Sequence, residues 1–214
     1  MAGTTDINVA YVNATQQTDF DVVVFTKNFN VNTPKVYYVA WKVLRAQNEA
    51  DFVFPVTMEV GATYTSSGTT NKAGPFPAEL GSTWSIAQEP ATATATLTQD
   101  LRSAVNPNGS IVVRNTPPTT WGGRMFDVGI YKNGGLLVVQ KDIHVGDQVD
   151  FMLKPKLYFG VVRNLVESEV FTSLEITSFL TEFDLSDYPD GLKVTLTQSG
   201  GGGQYKFTGD HLLN

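Results

Sequence analysis

Phe20-Asp21-Val22-Val23-Val24-Phe25 returns 106 residues later as Phe126-Asp127-Val128-Gly129-Ile130-Tyr131, and each copy is followed shortly by Lys-Asn. Asp51-Phe52-Val53-Phe54 returns 99 residues on as Asp150-Phe151-Met152-Leu153, and Thr96-Leu97-Thr98-Gln99 returns at that same spacing as Thr195-Leu196-Thr197-Gln198. Colinear matches at nearly one offset are the mark of a repeated unit. The matched pieces are short and rich in β-branched and aromatic residues, which suit a pleated, half-buried surface. The expectation is an all-β chain of two tandem, related β-sandwich modules packed closely together. Module 1 is expected over residues 1–106 and module 2 over residues 107–214, joined at Asn106-Pro107-Asn108-Gly109, a turn composition with no long linker.

Outward from these anchors, strand-like runs fall at Ile7 to Val12, Val36 to Val43, Asp51 to Val60, Thr92 to Gln99, Ser110 to Arg114, Leu136 to Lys141, Val149 to Leu153 and Leu192 to Gln198. Clusters of Asn, Gly, Pro and Asp separate them, the punctuation of a sandwich. Asn133-Gly134-Gly135 and Asp190-Gly191 favour the positive φ angles of tight hairpins, and Ser199 to Gln204, with four consecutive glycines, reads as a hairpin loop before Tyr205-Lys206-Phe207. Phe159 to Phe183 fits helical spacing about as well as alternation. Its β-branched content favours strand, with a short helix near Thr177 to Phe183 as the alternative.

Composition narrows the function classes. The 214 residues carry a formal net charge of −6, so the field of the whole molecule repels a phosphate backbone and nucleic acid is not expected as a partner. The absence of Cys excludes disulfides, thiolate metal sites and a Cys nucleophile. Met1-Ala2-Gly3-Thr4-Thr5-Asp6 lacks a basic region followed by an apolar run, and no stretch reaches the apolar length of a transmembrane segment. A cytoplasmic protein, or one exported without a classical signal peptide, is therefore expected. Asn13-Ala14-Thr15 and Asn108-Gly109-Ser110 match a glycosylation sequon but read as ordinary turns in that setting.

The second half resembles the rhizosphere-induced proteins of bacteria. The resemblance runs through Gly109-Ser110-Ile111-Val112-Val113, Phe126 to Ile130, Leu137-Val138-Val139-Gln140, Val149-Asp150-Phe151, Lys154-Pro155-Lys156-Leu157-Tyr158-Phe159-Gly160 and Pro189-Asp190-Gly191. In the first half Phe25-Thr26-Lys27-Asn28, Val39-Ala40-Trp41 and the Thr92 to Gln99 segment are similar to that family's opening. The segment around Val56 to Tyr64 departs from it, with few of the family's aromatic repeats. What the resemblance implies is a small β-rich protein of microbe–host or community life, with no catalytic residues to carry over.

The chemistry on offer is sparse. His144 and His211 are the two candidates for a general base, and neither stands in a nucleophile-elbow or zinc-protease pattern, so both are read as structural. Asp184, Asp187 and Asp190 share one loop, the arrangement a hard cation such as calcium requires, although Asp is also the commonest turn residue. Glu167, Glu169, Glu175 and Glu182 could supply a paired-carboxylate hydrolase site. The four-glycine loop lacks the Lys and following helix of a phosphate cradle. Trp84 and Trp121 lie among small polar neighbours, Trp121 with Arg124 close behind, and such rings suit a sugar or a partner surface; Trp41 has strand neighbours and reads as core. Ala91-Thr92-Ala93-Thr94-Ala95-Thr96 alternates as a pore-lining hairpin would. The reading that results is a non-enzymatic binding or interaction protein, its partner a glycan or a cell-surface protein, with a membrane-active pore former and a hydrolase as the competing classes.

Overall fold

The computed structural model describes residues 6–15, 17–30, 37–45, 49–171, 180–199 and 204–212. In chain order the strands are β1 (Ile7–Asn13), β2 (Asp21–Phe25), β3 (Tyr38–Val39), β4 (Lys42–Arg45), β5 (Glu49–Phe54), β6 (Met58–Ser66), β7 (Thr69–Ala78), β8 (Thr83–Ala87) and β9 (Thr96–Gln99). They continue as β10 (Ile111–Asn115), β11 (Phe126–Lys132), β12 (Gly135–Ile143), β13 (Gln148–Phe151), β14 (Lys156–Val162), β15 (Val170–Phe171), β16 (Thr181–Asp184), β17 (Leu192–Ser199) and β18 (Gln204–His211). A single 3-10 turn at Leu185–Asp187 interrupts this all-β series among the described residues.

The strands build four four-stranded sheets, ordered β18-β17-β1-β5, β16-β14-β2-β4, β13-β10-β8-β9 and β12-β11-β6-β7, with β15 and β3 paired separately. Two compact units result. Unit 1 comprises Met1–Lys27, Tyr37–Val56 and Lys154–Asn214; unit 2 comprises Asn28–Val36 and Thr57–Leu153. The expected division after residue 106 therefore does not separate the compact units, because β6 to β9 pack with β10 to β13, while β1 to β5 pack with strands from the far end of the chain.

The core of unit 2 draws apolar residues from both of its sheets: Val60 and Tyr64 of β6, Ile86 of β8, Ile111 and Val113 of β10, Phe126 and Ile130 of β11, and Phe151 of β13 belong to one buried cluster. This is the layer arrangement of a sandwich. In unit 1, Phe159 of β14 packs against Phe183 at 5.6 Å and against Phe207 of β18 at 5.8 Å, so its ring spans the gap between two sheets. A second cluster lies on the other face of β2 and β14, where Val23, Phe25, Tyr158 and Val162 are covered by Ala40, Leu165 and Phe171. That cover explains why Phe159 onward shows no clean alternation: β14 is apolar on both faces, with six of its seven residues buried. Of the alternative helix at Thr177 to Phe183, residues 177–179 lie outside the described residues, and the rest is not helical, since Thr181–Asp184 is strand.

Both units follow one strand plan. β1 pairs in parallel with β17 and antiparallel with β5, and β10 does the same with β8 and β13. β2 lies between β14 and β4, and β11 between β6 and β12. Phe20 immediately precedes β2, and Phe126 opens β11, its counterpart in this plan; Asp51 and Asp150 also fall on counterparts, β5 and β13. The third sequence match does not. Thr96 opens β9, whose place in the plan belongs to β18, whereas Thr195 is on β17, the counterpart of β8. Both alternate Thr with a buried Leu, and one such alternation can align with another whatever its place in a sheet.

Turn chemistry holds at Asn133-Gly134, where φ angles of 50° and 72° close the β11–β12 hairpin. Ser199 pairs with Gln204 across the β17–β18 hairpin as expected. Asp190-Gly191 is a turn but joins no hairpin, since β16 and β17 belong to different sheets. The strand expected from Thr92 begins only at Thr96; residues 91–95 form a turn held by the Gln88 side chain, whose amide donates to the carbonyls of Ala91 and Ala93.

Candidate functional site

The parallel pairing of β8 and β10 brings their C-terminal ends out at the same end of unit 2, so the loops that follow are neighbours. Asn115, buried at the end of β10, donates through Nδ2 to the carbonyls of Arg124 and Ile143, at 2.8 and 3.0 Å, and fastens the loop carrying Trp121. Gly123 adopts φ of 74°, and a Cβ there would lie 2.6 Å from Val145, so the Trp121 loop sits directly on the 144–147 turn.

Trp121 is half-buried, and its indole N–H donates to the Gln88 carbonyl at 2.8 Å. The Arg124 guanidinium lies between two rings, 5.1 Å from the Tyr64 centroid and 5.4 Å from that of Trp121, within range of cation–π attraction to both. Its Nη1 donates to the Thr65 carbonyl at 2.7 Å, and the Tyr64 hydroxyl accepts from the Ala95 N–H at 3.1 Å. Among the described residues two buried side-chain atoms have no hydrogen-bond partner, Nε of Arg124 and Oε1 of Gln88, and both belong to this cluster. Orphaned buried polar atoms are uncommon because each forfeits its hydration.

A cleft of about 430 Å³ adjoins this end, along the edge strands β12 and β13. Asn30, Gln140, Asp142, Asp147, Gln148 and Asp150 are among its lining residues. Asn30 Nδ2 donates to Asp150 Oδ2 at 3.3 Å and Gln148 Nε2 to Oδ1 at 3.4 Å, so the carboxylate is oriented by two amides. Sequence reasoning missed this cleft: its residues come from three separate stretches, each of which reads as turn or edge polarity.

Trp84, the other ring expected at a groove, is buried in the core of unit 2. Its indole N–H finds the Ser82 hydroxyl at 2.9 Å, and Phe76 stacks parallel to it at 6.5 Å. Small polar neighbours in sequence misled because Ser82 is itself buried, as the acceptor for that N–H.

The expected cation site does not assemble. Among the described residues no group of three or more His, Asp or Glu side chains is placed to hold a metal ion. Asp184 instead caps the 3-10 turn, accepting from the Ser186 N–H at 3.1 Å, and pairs with Lys156 at 3.7 Å, while Asp187 and Asp190 are exposed. The Ser186 hydrogen bonds, with the Lys156 charge as a smaller cause, hold the Asp184 carboxyl below its ordinary range.

The glutamates considered for hydrolysis are dispersed. Glu182 accepts from Lys156 and from the Tyr158 hydroxyl, Glu167 pairs with Lys42 at 3.7 Å, and Glu169 accepts from the Val166 N–H; Glu175 lies outside the described residues. His144 is exposed on the turn after β12, and the exposed His211 ring stands 5.3 Å from Tyr188.

Glu89 anchors the Trp121 loop from below, accepting from the Thr119 N–H at 2.6 Å and its hydroxyl at 2.9 Å. Hydrogen bonds from Thr120 and Thr119 lower its carboxyl pKa. A carboxyl with a depressed pKa favours the clamped loop above the ordinary carboxylate range, and the clamp is lost as pH falls through the folded-state value. Acidification, or Glu89→Gln at neutral pH, should therefore shift the Trp121 indole N–H resonance. A resonance that stays in place under both would show that Glu89 does not hold the loop.

No family model, no curated protein and no solved structure matches this chain.

Proposed function

We propose that the protein is a non-enzymatic binding protein that recognises a glycan at the loop end of unit 2. The observation that carries this reading is the half-exposed Trp121 ring, backed by Arg124, on a loop packed against the turn that leads into the polar cleft. An indole face takes the apolar face of a pyranose, and carboxylates and amides held at fixed angles take its hydroxyls. Asp147, Gln148 and Asp150 offer those acceptors and donors. The resemblance to rhizosphere-induced proteins supports a ligand on the surface of another cell. The turn at residues 91–95 leaves the pore-forming alternative without the alternating strand that motivated it.

A glycan array run with and without calcium tests the reading. Binding is expected, and Trp121→Ala and Asp147→Ala should each weaken it about tenfold or more, which corresponds to about 1.4 kcal/mol or more. Both variants should retain the wild-type unfolding profile. An array with no bound glycan in either condition, or binding untouched by both substitutions, would overturn it.

A further inference from the structure

In all four large sheets a seam divides the strands two and two. In unit 1, β1 and β5 meet β17 and β18 along the parallel β1·β17 pair, and β2 and β4 meet β14 and β16 along β2·β14. In unit 2, β10 and β13 meet β8 and β9, and β11 and β12 meet β6 and β7. Registers agree as well: Ala10 faces Asp51 and Lys193, as Val112 faces Asp150 and Thr83; Gly61 stands opposite Gly129 as Gly160 stands opposite Val23. The strands before and after residue 106 thus each supply one full set of eight places, yet neither set closes on itself. The first half of each set packs with the second half of the other.

From this we infer that the chain is a tandem duplicate whose repeats have exchanged halves, and that a second copy of this chain is a partner through the same exchange. The exchanging arm is Lys154–Asn214. It leaves unit 2 through one backbone crossing, Leu153 to Lys154, whereas the remainder of unit 1 is tied to unit 2 by crossings after Lys27, Val36 and Val56. Only residues 152–155 join β13 to β14, and the Lys156 N–H bond to the Lys154 carbonyl at 2.7 Å turns the chain sharply around Pro155; a short, tightly turned hinge is where an arm exchanges with that of another molecule. Every pairing along β1·β17 and β2·β14 is recovered when the arm of one copy completes unit 1 of the other, so the exchanged dimer loses no contact of the unit and closes with two-fold symmetry. Concentration decides between the forms, because the intramolecular arm competes at an effective concentration on the order of millimolar.

The cysteine-free chain allows a direct test in the full-length protein. Ala10 and Lys193 are partners across the parallel seam, as are Val12 and Thr195. The double variants Ala10→Cys with Lys193→Cys, and separately Val12→Cys with Thr195→Cys, are to be unfolded, refolded at about 1 µM and at about 1 mM to bracket that competition, and then oxidised. Non-reducing gels should show disulfides within the chain at low concentration and covalent dimers at high concentration, and the dimer should persist on dilution until reduced and unfolded again. Disulfides confined to one chain at both concentrations in both variants would overturn the inference. So would a non-covalent dimer whose chains each carry only internal disulfides, since that dimer would leave the arm at home.

Discussion

Trp84→Ala should destabilise unit 2 by about 3–5 kcal/mol, the usual cost of deleting a large buried aromatic side chain. Trp84 is 5% exposed and belongs to the cluster that unites the two sheets of unit 2. Truncation opens a cavity between β8 and the facing sheet, strips Phe76 of its stacked neighbour and removes the donor that Ser82 accepts. The hydroxyl of Ser82 keeps its own bond to the Glu79 carbonyl, so the polar loss is partial and the cavity dominates. Against a typical total of about 5–15 kcal/mol, such a loss consumes a large share of the stability of the unit. Urea unfolding followed by far-ultraviolet circular dichroism measures it. A change below about 1 kcal/mol would place Trp84 outside the core. Trp121→Ala, which removes a half-buried ring from a loop, is expected to cost far less, so the two tryptophans that look alike in sequence separate into one in the core and one on a loop.

That separation shows what the sequence could carry. The all-β class was legible because burial on alternate positions imposes a two-residue period on β1, β9 and β13, and because Asn-Gly at residues 133–134 allows few other conformations. Strands β6 and β7 were largely hidden. β7 reads Thr69-Thr70-Asn71-Lys72-Ala73-Gly74-Pro75-Phe76-Pro77-Ala78, with two prolines that argue against a central strand, and it stands at the edge of its sheet, where proline is tolerated. The exchange of halves was invisible for a different reason. Local pattern specifies which residues face a core, but the same eight places are filled whether a repeat closes on itself or across its twin, and the choice lies in the short links at residues 55–57 and 152–155. At the site, Trp121 and Arg124 were legible as an aromatic and a cation three residues apart; Tyr64, Gln88 and the cleft residues were not, because only the folded sheet brings them near.

Phe25→Ala should destabilise unit 1 by a similar amount, about 3–5 kcal/mol, and should act first on the outer cluster. Phe25 is fully buried and its ring lies 4.9 Å from that of Tyr38, 5.2 Å from Phe171 and 5.4 Å from Tyr158. Tyr38 and Phe171 come from β3 and β15, a pair of two-residue strands with little backbone pairing of their own, so their place over β2 and β14 depends on the ring they share. Lys27 caps the same aromatic group, with its ammonium 4.0 Å from the Tyr158 centroid, and burial chiefly, against the opposing pull of Glu182, lowers its pKa. Removing the central ring leaves those side chains facing a void that backbone pairing cannot close. Hydrogen exchange resolves the order of events: the amides of Ala40 and Ser168, which bond across the β3–β15 cover, should lose protection well before those of β1 and β17, the seam strands of the facing sheet. Equal loss at all of these amides would mean that the outer cluster and the sandwich open as one unit, and full protection at Ala40 would mean that the cover stands without Phe25.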